Sequence, residues 1–481
     1  MATSVFDYMS AAQIADVQAG SASIDVSTAI NTAIGANTGD LSFPPGIYLL
    51  NSTINVNKSN LNLIGSGKGA TTLTSGNATQ DIITVSALSN NNVIRSLSIT
   101  SKVAKTGGAA ISVSNCHDVR ISDIRIDNVY NGIVFDGGAQ QYLYFLDNFE
   151  INGGYIGVLV GPSTNVQDLW IDSGSIANTT NDGVLLLRVT GIYMSKVDIM
   201  GAQKHGLEMY PPTGFYVSGF FTNVLCDTCA NHGWAIGTNG GTTAEVLMTD
   251  CWGSSCGNGT TQYHGLYVDE GVSGGRVSVV KINGGSFMNN WNNGIKLQKG
   301  DAVTLSGTQV LCNNVSQTAS VGGLQVSNAF GNVNITGGFY ANAGLEFTNR
   351  QNYGISIDSG YSGLCSILGS HVTPNLIGGM NLPSSLPSGL KVITCAGFNT
   401  VNKGSGKLSA GSSFVIVNHN LNVTPKIEEL SIDISGNPTA AGLGNIWIDP
   451  STLNATSFKV IANTVASGDL YFNWQAHTLG A

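Results

Sequence analysis

Through the middle of the chain, apolar residues fall on every second position in short runs, and a polar residue followed by glycine opens one run after another. The pattern reads NGIVF from Asn131, IGVLV from Ile156, DGVLL from Asp182, HGLEM from His205 and HGWAI from His232. It continues as HGLYV from His264, NGIKL from Asn293, GGLQV from Gly322 and YGISI from Tyr353, with a degenerate copy, AAISV, at 109–113. The glycines Gly132, Gly157, Gly183, Gly206, Gly233, Gly265, Gly294, Gly323 and Gly354 recur every 23 to 32 residues. Further alternating runs lie between them, such as 119–126, 166–171, 189–199 and 276–282. A spacing of two excludes helical repeats. A recurrence of 20–50 residues signals a solenoid or a propeller, and a propeller blade needs about 40–45 residues. A coil of two or three short strands per period fits, so the prediction is all-β: a parallel β-helix with one period per rung.

The first and third residues after each glycine, such as Leu207 and Met209, are expected to point into the core, and the second and fourth to point out. The glycine is expected to serve a tight corner with positive φ, where a Cβ would clash. Stacking leaves two open ends. Residues 25–36 carry apolar positions at helical spacing, so a helix is expected to plug the first end, within an N-terminal segment of residues 1–38. The β-helix is predicted over 39–380, a Pro/Gly/Ser-rich linker over 381–407 and a small C-terminal β-sandwich over 408–481.

Composition narrows the function. Charged residues are only 10% of the chain, glycine is 62 of 481, and the formal net charge is −9. Nucleic acid, which demands clustered cations, and an anionic membrane surface are both excluded as expected partners. No run is long and apolar enough for a membrane span, and the start shows no basic-then-apolar secretion signal; export by lysis is the expectation. The eight cysteines include Cys226-x2-Cys229 and Cys251-x4-Cys256, which can be drawn as a zinc site. The preferred reading is buried small hydrophobes, with Cys229, Cys256 and Cys312 in equivalent slots before Asn or Gly-Asn turns. No metal and no cofactor are expected.

Two stretches carry a resemblance. SVFDYMSAAQIADVQAGSASIDVSTAI with LSFPPGIYLL is similar to the pectate-lyase-like β-helix module of bacteriophage tailspikes. SSFVIVNHNLNVTP and the terminal LYFNWQAH resemble small β-sandwich domains that end many phage tail fibres, which implies trimerisation or carbohydrate binding for residues 408–481. The resemblance implies a right-handed coil, a homotrimer, a place in the virion tail (extracellular after lysis) beside other phage tail proteins, and binding of a bacterial surface polysaccharide: capsule, exopolysaccharide or O-antigen. Many such proteins cleave it. The family's acids have no fixed motif, so no residue is carried over.

The candidate site comes from aligning the outward positions. The second residues after each glycine are Val134, Leu159, Leu185, Glu208, Ala235, Tyr267, Lys296, Gln325 and Ser356. The fourth are Asp136, Gly161, Leu187, Tyr210, Gly237, Asp269, Gln298, Ser327 and Asp358. The first rungs are apolar outside, at Val134, Leu159, Leu185 and Leu187, and a neighbouring subunit or a long loop is expected to cover them. Over the next three rungs Glu208, Tyr210, Tyr267, Asp269 and Glu270 surround the small residues Ala235 and Gly237. This makes a dent with carboxylates for chemistry and rings for sugar C–H faces. His205, His232 and His264 line its edge, either as a structural corner ladder or as part of the site. The loops 250–258 and 258–265 add Trp252 and Tyr263.

Rungs stack about 4.8 Å apart and outward neighbours on a strand lie about 6.6 Å apart, which places the Glu208 and Asp269 Cβ atoms roughly 12 Å apart. Side chains leaning together reach the roughly 6.5–9.5 Å carboxyl separation of inverting glycosidases. The candidate catalytic residues are therefore Glu208 with Asp269 or Glu270, and Asp227 and Asp250 are runners-up. The candidate substrate contacts are Tyr210, Tyr267, His205, His232, His264, Trp252 and Tyr263. Three functions stay open: an endo-acting hydrolase; a lyase, with His205, Tyr210, Lys204 or Arg188 as base and cation; and a spike that binds without cleaving.

Overall fold

The computed structural model describes residues 3–479 apart from 87–88, 137, 139–140, 258–262, 272–273, 318–321, 343–349, 384, 436–441 and 443. The period-two alternation becomes a parallel β-solenoid of about 12 turns. Its register follows the repeat: Ile133, Val158, Val184, Leu207, Trp234, Leu266, Ile295, Leu324 and Ile355 pair each with the next. All nine have no exposed surface, so the first residue after each glycine builds one continuous core column. The second-residue column is in register as well, from Val134 through Glu208, Ala235 and Tyr267 to Ser356. Val134, Leu159, Leu185 and Leu187 are half-buried where they stack on their neighbours.

The repeated glycines do not have the expected conformation. None of the nine has a positive φ. A Cβ on Gly206 would lie 2.6 Å from the carbonyl oxygen of Gly233, and one on Gly233 would lie 2.8 Å from that of Gly265. The same contact recurs from Gly132 to Gly157, from Gly157 to Gly183 and from Gly183 to Gly206. Each of these carbonyls is in turn an acceptor: Leu207 N–H donates to Gly233 O and Trp234 N–H to Gly265 O, both at 2.9 Å. The glycine is there for close approach of the next rung, and not for a corner. Left-handed corners lie elsewhere in the period, at Asn128, Gly153, Asn178, Gly201, Thr228, Ser255, Asn289 and Cys312, with φ between 52° and 74°. Asparagine and glycine dominate because both tolerate that region.

This corner column also corrects one cysteine slot. Cys229 and Cys256 follow a corner residue, but Cys312 is the corner itself, and Asn313 occupies the slot below Asn290. All eight cysteines are buried and free.

Helix α1 (Ala11–Ala19) and helix α2 (Ser27–Ala36) close the first end. α2 covers it with Ile30, Ala33 and Ile34. α1 was not foreseen, although its Ser10–Gln13 capping box is a sequence signature. Residues 381–407, expected as a linker, contribute Leu390–Ile393 to the coil and Val401–Leu408 to the C-terminal unit. That unit is two three-stranded antiparallel sheets, with Val417, Phe458 and Val460 of one packed on Phe472, Trp474 and Ala476 of the other. Leu479 O accepts from Val392 N–H at 3.2 Å and its side chain joins the solenoid core, so the chain's end helps cover the last rungs.

On a face away from the glycine column, Phe145, Trp170, Tyr193 and Phe220 share one register position on successive rungs. Their rings stack at 5.0, 5.2 and 5.1 Å with planes within 13° of parallel. The Arg120 guanidinium caps the first ring at 4.0 Å.

Gly206→Ala tests the interlock. A backbone carbonyl cannot swing away from the new methyl, so the substitution is expected to cost about 3 kcal/mol, the upper end for overpacking. Gly214→Ala has open space around the Cβ but a positive φ of 81°, and is expected to cost about 1 kcal/mol. Chemical denaturation measures both; equal costs would remove the close-approach explanation.

Candidate active site

The site is built by three consecutive rungs. Strand Leu207–Met209 carries Glu208, strand Trp234–Gly237 carries Ala235, and strand Leu266–Asp269 carries Tyr267 and Asp269. Because Glu208, Ala235 and Tyr267 are in register, the small middle residue leaves a recess between its two larger neighbours. The recess is about 220 Å³, lined by Glu208, Tyr210, Tyr267, Asp269, His205 and His232, with Ala235, Gly237 and Thr238 among its walls. It is smaller than the roughly 300–1,000 Å³ of a pocket that swallows a whole ligand, and suits one ring of a longer chain. A larger recess of about 420 Å³ farther along the coil has Asp358 as its one carboxylate among the described lining residues. That group is already engaged by Gln325 Nε2 at 2.8 Å and Lys296 Nζ at 3.8 Å.

The carboxylates in the first recess are held differently. Asp269 accepts from the Tyr267 hydroxyl at 2.8 Å and from Gly271 N–H at 3.1 Å. Burial, and then Asp269 itself, push the Tyr267 phenol above its ordinary value, so the ring keeps its proton and donates it. Glu208 meets the Lys204 ammonium at 2.5 Å, and the same ammonium reaches Asp182 at 3.2 Å. Burial works against the charge on Lys204, but the two carboxylates outweigh it and raise that amine. One oxygen from each of Asp182 and Glu208 and one ring nitrogen of His205 lie within 4.8 Å of one another. The cation seated against both carboxylates is the chain's own lysine.

The three histidines form a ladder. Asp182 Oδ1 accepts from His205 N–H, His205 Nδ1 from His232 N–H, His232 Nδ1 from His264 N–H, and His264 Nδ1 from Asn293 N–H, at 3.0 to 3.3 Å. Asn293 Oδ1 continues it to Gly322 N–H at 3.1 Å. The rings stack at 5.2 and 5.3 Å. An imidazole accepting at Nδ1 carries its proton on Nε2, and Nε2 of His205 lies 4.0 Å from Glu208. Burial holds His205 down to about 2 and His232 down to about 3, and holds His264 well below the ordinary value. These are neutral rings, of which His205 and His232 line the recess.

The other sequence candidates are placed as follows. Tyr210 lies in the recess wall beside Tyr267. Tyr263 packs edge-on against His232 at 4.9 Å; the loop expected before it, 258–262, lies outside the described residues. Tyr267 stacks on His232 at 4.6 Å and His264 lies behind it. Glu270 turns away, to Lys299 Nζ at 3.1 Å and Val277 N–H. Trp252 sits on a different face, paired with Leu225 and Ser286, and is exposed there. Asp227 is on the same strand pairing, bonded to Ser254, and Asp250 is a left-handed corner. A β-bulge after Val268 pairs Asp269 with Lys299, where the sequence alignment expected Gln298. Asp182 was overlooked, although it stands at the head of the same polar–glycine column as the histidines.

The ladder has a pH signature. Unfolded imidazoles take up protons below about 6.5, and the folded ones refuse them until far lower pH. Stability present above that value is therefore lost as pH falls from about 6.5 toward 3. His232→Asn, which supplies the acceptor that Asn293 supplies two residues of the ladder later, is expected to shrink the drop in melting temperature between neutral and acid pH. His232→Ala leaves the His264 N–H without its acceptor and is expected to cost about 1–3 kcal/mol at neutral pH. Equal neutral stability of the two variants would show that the acceptor does not matter.

Residues 19–208 match the family model described as rhamnogalacturonase A/epimerase, pectate lyase-like. Among curated proteins none matches the sequence. Among solved structures, tailspike protein 3 of bacteriophage CBA120 aligns with TM-score 0.62 and 16% identity, over 83% of this chain and 62% of that one. Tailspike gp61 of Pseudomonas phage phi297 aligns with TM-score 0.54 and 11% identity, over 99% and 98% of the two chains. The Dettilon tailspike protein gp208 aligns with TM-score 0.52 and 12% identity, over 95% and 92%. At these identities the likeness is one of fold: the chain has the pectate-lyase-like right-handed β-helix fold in its tailspike-like form.

Proposed function

We propose that the protein is a phage tailspike-type depolymerase that binds a bacterial surface polysaccharide and hydrolyses it within the chain. The observation that carries this reading is the recess over Ala235, with Glu208 and Asp269 on either side of it and the Tyr210 and Tyr267 rings beside them. Two carboxyl groups flanking a ring-sized space are what glycoside hydrolysis needs, one to protonate the leaving oxygen and one to activate water. Phenol rings offer a surface to sugar C–H groups, and the Nε2–H groups of the histidines offer donors to hydroxyls. The tailspike likeness supports a place in the virion tail, and a homotrimer is part of the proposal.

Hydrolysis is preferred to elimination because three of the four groups named for elimination, Lys204, Arg188 and His205, are engaged elsewhere, which leaves Tyr210 alone in the recess without a free cation beside it among the described residues. Lys204 already faces two carboxylates. Arg188 donates to the carbonyls of Gly161 and Pro162 and lies over the Phe215 ring. The Nδ1 atoms of His205 and His232 accept backbone N–H groups, which leaves no lone pair for a general base.

Glu208→Gln and Asp269→Asn are each expected to lower release of reducing ends from the cognate polysaccharide by about 10²–10⁴-fold while binding persists. A panel of purified capsular polysaccharides and O-antigens identifies the substrate. Undiminished release by both variants would displace the site. A product absorbing in the ultraviolet as an unsaturated uronate would indicate a lyase, and binding without release by the parent protein would indicate an adhesin.

A further inference from the structure

Asp182 takes no part in the hydrolysis just described, yet it is the most deeply buried carboxyl beside the recess, with a side chain of zero exposure. It heads the histidine ladder, where one oxygen accepts His205 N–H at 3.3 Å and the other faces Lys204 Nζ at 3.2 Å. Lys204 also serves Glu208, whose side chain is 11% exposed. The charge count does not close: one ammonium confronts two carboxylates in a place with little water. A surplus buried charge is costly, and a bound proton relieves it. The charged and titratable groups facing Asp182 are Lys204 and Glu208, with the neutral His205 completing the cluster.

We propose that Asp182 and Glu208 form one carboxyl dyad that holds a single proton against Lys204, making Asp182 a positioning residue that keeps Glu208 supplied as the acid while Asp269 serves as the base. This rests on the hydrolase reading and assigns direction within it. As the bond from the anomeric carbon to the glycosidic oxygen breaks, the dyad's proton passes from Glu208 to that oxygen. Water adds its oxygen to the carbon and gives a proton to Asp269. That proton returns to the dyad through solvent, and the site is restored. Asp269 suits the base role because it only accepts, from Tyr267 and Gly271, and keeps lone pairs for water. Burial, with the Glu208 charge adding to it and Lys204 opposing, pushes the Asp182 carboxyl up to about 7.

The test is the pH dependence of kcat/KM for the full chain on the polysaccharide it cleaves. The parent protein is expected to lose activity as pH rises through about neutrality, when the dyad gives up its proton. Asp182→Asn leaves Lys204 to Glu208 alone, so the alkaline limb is expected to move down by about 1–3 pH units. Lys204→Met removes the counterion, and the limb is expected to move up. A merely structural role lowers the amplitude of the profile and leaves its limbs in place. Limbs that stay put in both variants, or move in the same direction, overturn the proposal. Should Asp182→Asn not fold, the partly exposed Lys204 allows its variant to decide by the upward shift alone. Should no polysaccharide be cleaved, the hydrolase reading fails separately. The dyad is then read by infrared spectroscopy, as a protonated-carboxyl band present below neutral pH, lost above it and diminished in Asp182→Asn. Absence of that band would reject the dyad itself.

Discussion

The coil depends on a backbone carbonyl lodged where a side chain would otherwise begin. From Gly132 to Gly265 each repeat glycine gives up its Cβ so that the carbonyl of the next rung's glycine can sit against its Cα. The same carbonyl takes the N–H of the residue that follows the first glycine, as Gly233 O does from Leu207. One atom thereby sets both spacing and register. Everything placed by counting from the glycine inherits that accuracy: the buried column at the first position, and the recess at the second.

Much of this was legible because a stacked β-coil turns sequence spacing into spatial columns. Aligning nine glycines was enough to bring Glu208, Ala235 and Tyr267 side by side, as the pairing has them. The reason assigned to the glycine was mistaken because one sequence does not distinguish a residue chosen for positive φ from one chosen for lack of bulk. Asn128, Asn178 and Asn289 hold the left-handed corners instead. Counting also fails wherever the chain slips. The bulge after Val268 puts Lys299 beside Asp269, and nothing in YVDE marks it. Trp252 was misplaced for a related reason. Loop length suggested proximity, whereas its strand pairing puts it around a corner of the coil.

The polar side of the site was harder to read, because it depends on what each ring or carboxyl does with its second atom. The letters H, H and H allowed a structural ladder or groups of the site. Their Nδ1 atoms are committed to the backbone of the next rung, and burial keeps them neutral. The ladder thus turns bases into neutral donors, two of which, His205 and His232, line the recess. It also explains how Asp182 escaped notice. It occupies a structural slot, bonded like a histidine to the rung above, and it acquires an electrostatic role only because Lys204 and Glu208 converge on it.

The aromatic stack from Phe145 to Phe220 gives the molecule a sidedness. Rings packed face to face at about 5 Å, the first capped by Arg120, show the outside mainly their edges, the positive rim of the π system. A sugar's C–H groups are themselves slightly positive and gain nothing there.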